Sequence, residues 1–491
     1  MFQKTFDLGA SDEVVEIIQT NDGNYAVLGQ LPICIMKINS MGNPIWSKKY
    51  SGASTPVYSR SFKQTQDGGF IIAGAYWSTV TSANQGYDAY LIKTNSVGDT
   101  LWTKVYSFLY DDRPECINIC SDGGYIVTGM SQSGASSLIM KTDSLGNLLW
   151  STMYDQISSN VTYGNSIQEV LGGGYVVFGM TGSYGSGGGD GFIHKIDNNG
   201  NLLWFKTYGS TGYEGFSIGQ QTQDGGYFVL GGNQSDPFII RTDSNGNTLW
   251  VKFYSYQNFG LNNIKQTSDK GFIMSGGVSG IGFGSSDYCV VKTDSLGNIG
   301  WAKIYGTSAT EYCSFVNETI DGGYIIGGSE YDSISWNMNA YLIKTNSVGV
   351  SGCNEFNANP NTGNLQLNIL SVIPLLSGNA VLQNEQTIIS SVIPIDSLYC
   401  ITVGVSVVNS NSFLFSISPN PFSSSTVLQT EDLLRNATLT VDNCFGQKVR
   451  EEIINNQSTI INRGNLSSGL YFLRLTEGNK TYTDKLVITD K

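Results

Sequence analysis

His194 is the only histidine in the 491 residues, and a lone imidazole leaves no support for His-based triads or multi-histidine metal sites. It occupies a position that other copies of a repeated segment fill with Ile92, Met140, Ile240, Val291 or Ile343. That is an apolar strand slot, so it reads as a buried core histidine. Carboxylates recur more regularly. Asp12, Asp112, Glu214 and Glu311 each stand ten residues before the aspartate that opens an Asp-Gly turn. Ringed on one face they would collect a cation or the hydroxyls of a sugar; taken singly they would be solvated or turn-capping groups. Lys104, Lys206, Lys252 and Lys303 recur between a Trp and a Tyr on one strand face, where they would pack their stems on aromatics or pair locally.

The eight cysteines show no CxxC or Cys/His spacing, so no zinc site is expected, and no constellation implies a catalytic set, a metal or a cofactor. Cys34, Cys120, Cys289 and Cys313 lie in strand-like runs and read as small apolar residues. Cys116 and Cys120 would stand ~13 Å apart on one strand, too far to bond. Cys353 and Cys400 bracket a non-repetitive stretch and form a candidate disulfide, given an extracellular destination.

These residues hang on a repeat. Asp-Gly-Gly-Tyr, an apolar run, then Lys-Thr-Asp-Ser-x-Gly-Asn-x-x-Trp-x-Lys-x-Tyr recurs seven times, its turn glycine falling at Gly42, Gly98, Gly146, Gly200, Gly246, Gly297 and Gly349. A period of about 51 residues suits a propeller blade. Within the fifth unit, Ser217 to Thr222, Tyr227 to Gly232, Pro237 to Asp243 and Thr248 to Tyr254 read as four strands joined by tight turns. Asp and Ser would cap turn amides, glycine would take the left-handed position, and tryptophan would fill the gap between sheets. The expected fold is all-β: a seven-bladed β-propeller of four-stranded antiparallel blades over residues 1–350. The seventh unit lacks its last strand, since Val350-Ser351-Gly352-Cys353 has no Trp-x-Lys-x-Tyr, while Phe2-Gln3-Lys4-Thr5-Phe6 matches that pattern with Phe at both ends. The propeller is therefore expected to be closed by its N-terminal strand, which also removes an unpaired edge.

A net charge of −13 without a basic run argues against nucleic acid, and no apolar stretch reaches the ~20 residues of a membrane helix. Residues 351–411 are poor in charge and rich in Ser, Asn, Val and Ile, with Val372-Ile373-Pro374 echoed at Val392-Ile393-Pro394; they read as a connector with some β character. Residues 412–491 read as a small antiparallel sandwich.

That last segment carries Ser418-Pro419-Asn420-Pro421, then Val441-Asp442-Asn443-Cys444-Phe445-Gly446-Gln447-Lys448-Val449, then Leu466-Ser467-Ser468-Gly469-Leu470-Tyr471-Phe472-Leu473, and closes on Lys485-Leu486-Val487-Ile488. In these motifs and their order it resembles the type A sorting domain of the type IX secretion system. The resemblance marks Pro419, Asn420, Pro421, Gly446, Gly469, Tyr471 and Lys485 as the sorting motif and the secretion machinery as a partner. It implies an outer-surface or extracellular destination in a Bacteroidota-type bacterium, after which the domain is commonly removed. Such export requires a signal peptide, and the chain opens Met-Phe-Gln-Lys-Thr-Phe with neither a basic n-region nor an apolar h-region; it reads as a mature or truncated start.

The repeated turn differs from the sialidase Asp box by one residue in each step, and the propeller offers only Arg60, Arg113 and Arg241 for a substrate carboxylate. The sequence thus supports a secreted or surface-displayed binding or adhesion module for a glycan or protein ligand. The alternatives are a polysaccharide hydrolase or lyase using loop carboxylates and tyrosines, and a structural surface protein. Specificity is expected where repeats break their pattern, at Ala53–Tyr58, Tyr76–Tyr87 and Thr181–Asp190.

Overall fold

A computed structural model describes residues 1–7, 13–30, 33–51, 57–78, 86–108, 111–131, 136–155, 161–233, 235–332, 337–372, 375–377, 381–384, 388–391, 395–401, 415–430, 433–443, 448–478 and 480–490. Every regular element among them is a β-strand. Residues 1–402 form one compact unit and residues 403–491 a second.

In the first unit each repeat folds into a four-stranded antiparallel sheet, giving the seven blades of a β-propeller. In the third repeat, for instance, Arg113–Ile119, Tyr125–Ser131, Ser136–Thr142 and Leu148–Asp155 pair in chain order. Both faces of such a sheet are buried, so its middle strands are apolar nearly throughout, as in Tyr25–Gly29 and, apart from Lys37, Ile33–Ile38. The seventh blade draws its fourth strand from the start of the chain: Phe2–Asp7 pairs antiparallel with Asn337–Thr345, Phe2 opposite Lys344 and Phe6 opposite Ala340.

The Trp-x-Lys-x-Tyr motif proves to be the joint between blades. Each tryptophan ring lies on the turn glycine of the next blade: Gly98 has a left-handed φ of 82°, and a Cβ there would meet Trp46 at 2.9 Å. The tyrosine two turns of the pleat further on donates its hydroxyl to the same glycine's carbonyl, Tyr50 to Gly98, Tyr106 to Gly146, Tyr154 to Gly200, Tyr208 to Gly246, Tyr254 to Gly297 and Tyr305 to Gly349, at 2.5–3.3 Å. The lysine between them reaches the last residue of that turn: Lys48 to Asp99 at 2.9 Å, Lys104 to Asn147 at 2.7 Å and Lys252 to Asn298 at 2.5 Å. The N-terminal strand repeats the joint from the seventh blade to the first. The Phe2 ring lies on Gly42, and the Lys4 ammonium donates to Asn43 Oδ1 at 2.9 Å.

Inside each blade the turn aspartate pairs with the lysine or arginine that ends the third strand. Asp22–Lys37, Asp67–Lys93, Asp122–Lys141, Asp224–Arg241, Asp269–Lys292 and Asp321–Lys344 meet at 2.5–2.9 Å. The fourth repeat has Leu171-Gly172-Gly173-Gly174 instead, and there Asn198 Oδ1 accepts from the Gly174 amide at 2.7 Å.

The stretch after the seventh repeat is the main addition to the sequence reading. It is a belt. Glu355–Asn357, Asn361–Asn364, Asn368–Ser371, Leu375–Ser377, Val381–Asn384, Ile388–Ser391 and Ile395–Ile401 pair antiparallel, in that order, with the outer strands of blades six, five, four, three, two, one and seven. Six or seven residues, ~20 Å when extended, carry the chain from one blade edge to the next. Each outer strand thereby gains a partner where an open edge would invite aggregation. Cys353, at the start of the belt, is disulfide-bonded. The Cys400 side chain lies outside the described residues, but its backbone stands opposite Gln3, and Gln3 Nε2 donates to the Cys353 carbonyl at 2.5 Å.

The second unit is two sheets over one core. Phe415–Ser418, Ser425–Thr430 and Ser458–Asn462 form the smaller, and Ala437–Asn443, Lys448–Ile454, Gly469–Glu477 and Lys480–Ile488 the larger. Leu428 and Ile461 from one meet Leu439, Val441, Leu473 and Leu486 from the other.

Two outcomes are expected. Phe2→Ala should cost about 3–5 kcal/mol in chemical denaturation, and an unchanged midpoint would contradict the joint assigned to Phe2. Non-reducing peptide mapping should recover Cys353 linked to Cys400; a link to Cys444 would refute that pairing.

Candidate functional site

In every blade the innermost strand carries a β-bulge at the same place, between Val14 and Glu16, Ser59 and Ser61, Pro114 and Cys116, Gly164 and Ser166, Phe216 and Ile218, Leu261 and Asn263, and Cys313 and Phe315. A bulge adds one residue and turns its side chain. The added residues, Val15, Arg60, Glu115, Asn165, Ser217, Asn262 and Ser314, all line one cavity of about 270 Å³ between the inner strands. Five charged residues line this channel, Glu16, Arg60, Lys63, Glu115 and Lys265. Glu16 accepts from Ser61 Oγ at 3.0 Å, the Phe62 amide at 2.9 Å and Lys63 Nζ at 2.6 Å, so both its oxygens are occupied. Arg60 Nε stands 3.6 Å from Glu115, beyond hydrogen-bond length. Lys265 projects its ammonium over the Phe315 ring, 5.1 Å from the centroid. Burial, and then the charge of Lys63, hold the Lys265 amine below its ordinary pKa, while burial pushes the Cys116 thiol up. Cys116 forms no disulfide, nor do Cys34, Cys120, Cys289 and Cys313.

At one mouth of the channel, where the loops between second and third strands emerge, blades two and three build an aromatic cluster. Tyr58 lies edge-on to Tyr87 with centroids 5.0 Å apart, and Tyr87 lies edge-on to Trp77 at 5.0 Å. Arg113 sits over the Tyr87 ring at 4.8 Å and Arg60 over the Tyr58 ring at 5.3 Å. Asp111 holds the Arg113 guanidinium through two bonds of 3.1 and 2.7 Å. Tyr58, Trp77 and Tyr87 all border the stretches where the second repeat departs from its pattern; residues 52–56 and 79–85 of those stretches lie outside the described residues. Opposite this mouth, the face of the tight turns exposes aliphatic side chains blade after blade, among them Leu101, Leu149, Leu203 and Leu249.

The recurrent carboxylates occupy equivalent connections between blades on the loop side, but their oxygens point inward. Asp112 accepts from the Phe108 amide at 2.8 Å and from Ser131 Oγ. Glu214 accepts from the Ser210 amide and hydroxyl at 2.7 and 2.6 Å, and Glu311 from the Thr307 amide at 2.9 Å. All three are buried. Of the two readings the residues left open, this geometry is the capping one; Asp12 lies outside the described residues. A second carboxyl from the third strand sits near each: Asp88, Asp190 and Asp287. The sequence reading passed over these three, although an Asp near the start of the third strand in the second, fourth and sixth repeats was a signal for them. Burial first, with the neighbouring carboxyls adding to it, raises Asp112 to about 6 and Glu311 to about 7. Among the described residues no group of three or more His, Cys, Asp or Glu could hold a metal ion.

His194 lies in the core of blade four, fully buried against the rings of Tyr154, Phe192 and Phe205. Neither ring nitrogen finds a partner among the described residues, and burial lowers its pKa to about 3.

In the second unit the separated pieces of the sorting motif meet. Asn420 Oδ1 accepts from the Val487 amide at 2.8 Å, and its Nδ2 donates to the Lys485 carbonyl at 2.6 Å. Asn420 thereby ties the Pro419–Pro421 turn to the last strand. Tyr471 donates to the Ser467 carbonyl at 3.0 Å, and Gly469 opens its strand at a φ of 156° that disfavours a side chain. Gly446 lies outside the described residues.

Residues 416–489 match the family described as the secretion system C-terminal sorting domain. This part of the chain is such a domain, which implies handling by the type IX secretion machinery and delivery to the cell surface or beyond. No curated protein matches the chain. Among solved structures it is similar to the extracellular domain of BT4673 from B. thetaiotaomicron, at 10% identity and a TM-score of 0.38, covering 98% of this chain and 58% of that one. It is also similar to PorZ, a surface component of the type IX secretion system of Porphyromonas gingivalis, at 8% identity and a TM-score of 0.32, covering 97% and 82%. The chain thus spans under two thirds of the first of these, and at such scores neither one's properties carry over.

The histidine sets a pH dependence. Its folded pKa of about 3 lies below the ~6.5 of an unfolded chain, so its contribution is intact above pH ~6.5 and is lost as pH falls toward 3. Asp112 and Glu311 act oppositely, since their raised values make the folded state lose stability as pH rises from ~4 toward 7. His194→Ile should raise the melting temperature at pH 5 and flatten the acid limb of the stability profile; an unchanged limb would contradict the buried neutral imidazole.

Proposed function

We propose that the chain is an exported binding module, displayed at or released from the cell surface, whose propeller engages a glycan or protein ligand at the loop-side mouth of its channel. The observation that carries this reading is the cluster of Tyr58, Trp77 and Tyr87 with Arg60 and Arg113 over two of the rings. Aromatic faces and guanidinium groups are what surface recognition of sugars and peptides draws on. The cluster sits where a blade abandons its repeat, and blade-joining contacts do not account for it. The rest of the propeller supplies rigidity, and the sorting domain supplies the address.

The test is a glycan array and a surface-protein pull-down with the full chain, run beside Trp77→Ala and a reducing-end release assay. Binding that falls by about tenfold or more in Trp77→Ala, a loss typical of an aromatic anchor, without released oligosaccharide supports the reading. Release of oligosaccharide, or binding indifferent to Trp77, overturns it.

A further inference from the structure

Below the aromatic mouth, the channel holds more cationic capacity than its own carboxylates use. Arg60, Lys63 and Lys265 face Glu16 and Glu115. Lys63 is taken by Glu16 at 2.6 Å. Arg60 is only loosely opposed by Glu115, and its Nε has no hydrogen-bond partner among the described residues. Lys265 makes no ion pair or hydrogen bond among the described residues; its ammonium stands over the Phe315 ring and feels the charges of Lys63 and Glu16. The neutral lining adds a further unmet acceptor, the buried Asn263 Oδ1, two residues before Lys265. Buried polar groups are normally paired, and an orphan in a polar cavity marks a place where something else completes the bond.

We infer that the channel is a site for one small carboxylate-bearing ligand, its carboxylate meeting the Lys265 ammonium and the Arg60 guanidinium and a hydroxyl donating to Asn263. The inference rests on the propeller being a binding module. Charge selects the class: three cations against two carboxylates leave one positive charge, which a monoanion balances. A dianion would leave an uncompensated negative charge buried in a chain already at −13. Size selects the scale, because about 270 Å³ falls just below the ~300 Å³ at which pockets for drug-sized molecules begin. A single acidic sugar fits this description. The lowered basicity of Lys265 agrees with a site that lacks its counter-charge when empty, since a bound carboxylate favours the ammonium form.

The experiment is a calorimetric titration of the full chain with glucuronate, glucose and inorganic phosphate. Glucuronate is expected to bind, with glucose and phosphate at least about tenfold weaker, because a charge-assisted bond is lost in one case and charge is mismatched in the other. Lys265→Met should lose about tenfold or more in glucuronate affinity while melting at or above the parent temperature, since it removes an unpaired, half-buried charge; Lys265→Arg should retain binding. Should Lys265→Met fail to fold, Arg60→Gln gives the same reading from another blade of the channel wall. Phosphate binding as tight as glucuronate, absence of glucuronate binding, or parent-like titration of the folded variants overturns the inference. If the array still shows ligand lost with Trp77→Ala, only the channel site falls; if both fail, the binding-module reading falls with it.

Discussion

An indole laid on a glycine of the neighbouring blade is the contact from which the propeller is built. The turn glycine must be bare for two reasons at once: its φ is left-handed, and the ring of the preceding blade occupies the space a Cβ would take. The tyrosine hydroxyl then fastens to that glycine's carbonyl, and the lysine to the turn's last side chain. Three side chains of one strand thus address one turn of the next blade. The motif that dominates the sequence is spent on this joint, which is why repetition, the loudest feature of the chain, says so little about ligands.

How far the sequence could be read follows from the range of the interactions involved. Blade strands announce themselves locally, through apolar runs between Asp-Gly-Gly and Asp-Ser-x-Gly-Asn turns, and Phe2-x-Lys4-x-Phe6 was recognisable because it mimics a local motif. The bulges left no local mark: an added residue such as Arg60 or Asn262 shifts the alternation by one inside a strand of eight, and only pairing shows where. The belt was opaque for the same reason at longer range. Its strands of three to seven residues carry no strong periodicity, and each pairs with a segment far away in the chain. Only the Val-Ile-Pro echo, twenty residues apart, hinted at a regular step, and it spans three blade edges.

The candidate site was legible in part. The sequence pointed to the stretches where the second repeat breaks its pattern, and the aromatic cluster on which the proposed function rests, with Trp77 and Tyr87, lies beside them. Asp112, Glu214 and Glu311 were singled out by spacing, yet spacing cannot tell an outward carboxylate from one turned onto the amide four residues before it. Lys265 could not be seen at all, because it matters only through what stands across the channel: Lys63, Glu16 and Cys116, from three other blades.

The belt also dictates an order of assembly. It runs against the direction of the blades, so its first pairing, Tyr305 with Glu355, closes a loop that holds only the seventh repeat, and its last, Phe2 with Ile401, spans almost the whole unit. Loop-closure entropy makes the first step the least costly and favours docking strand by strand from there. The strand Phe2–Asp7 has one neighbour from residues 337–345 and the other from residues 395–401. The strand Phe2–Asp7 is therefore among the last to be paired on both edges, and the unit reaches its final form only when residues 395–401 are in place. Folding of this propeller is timed by the completion of the belt rather than by the accretion of blades.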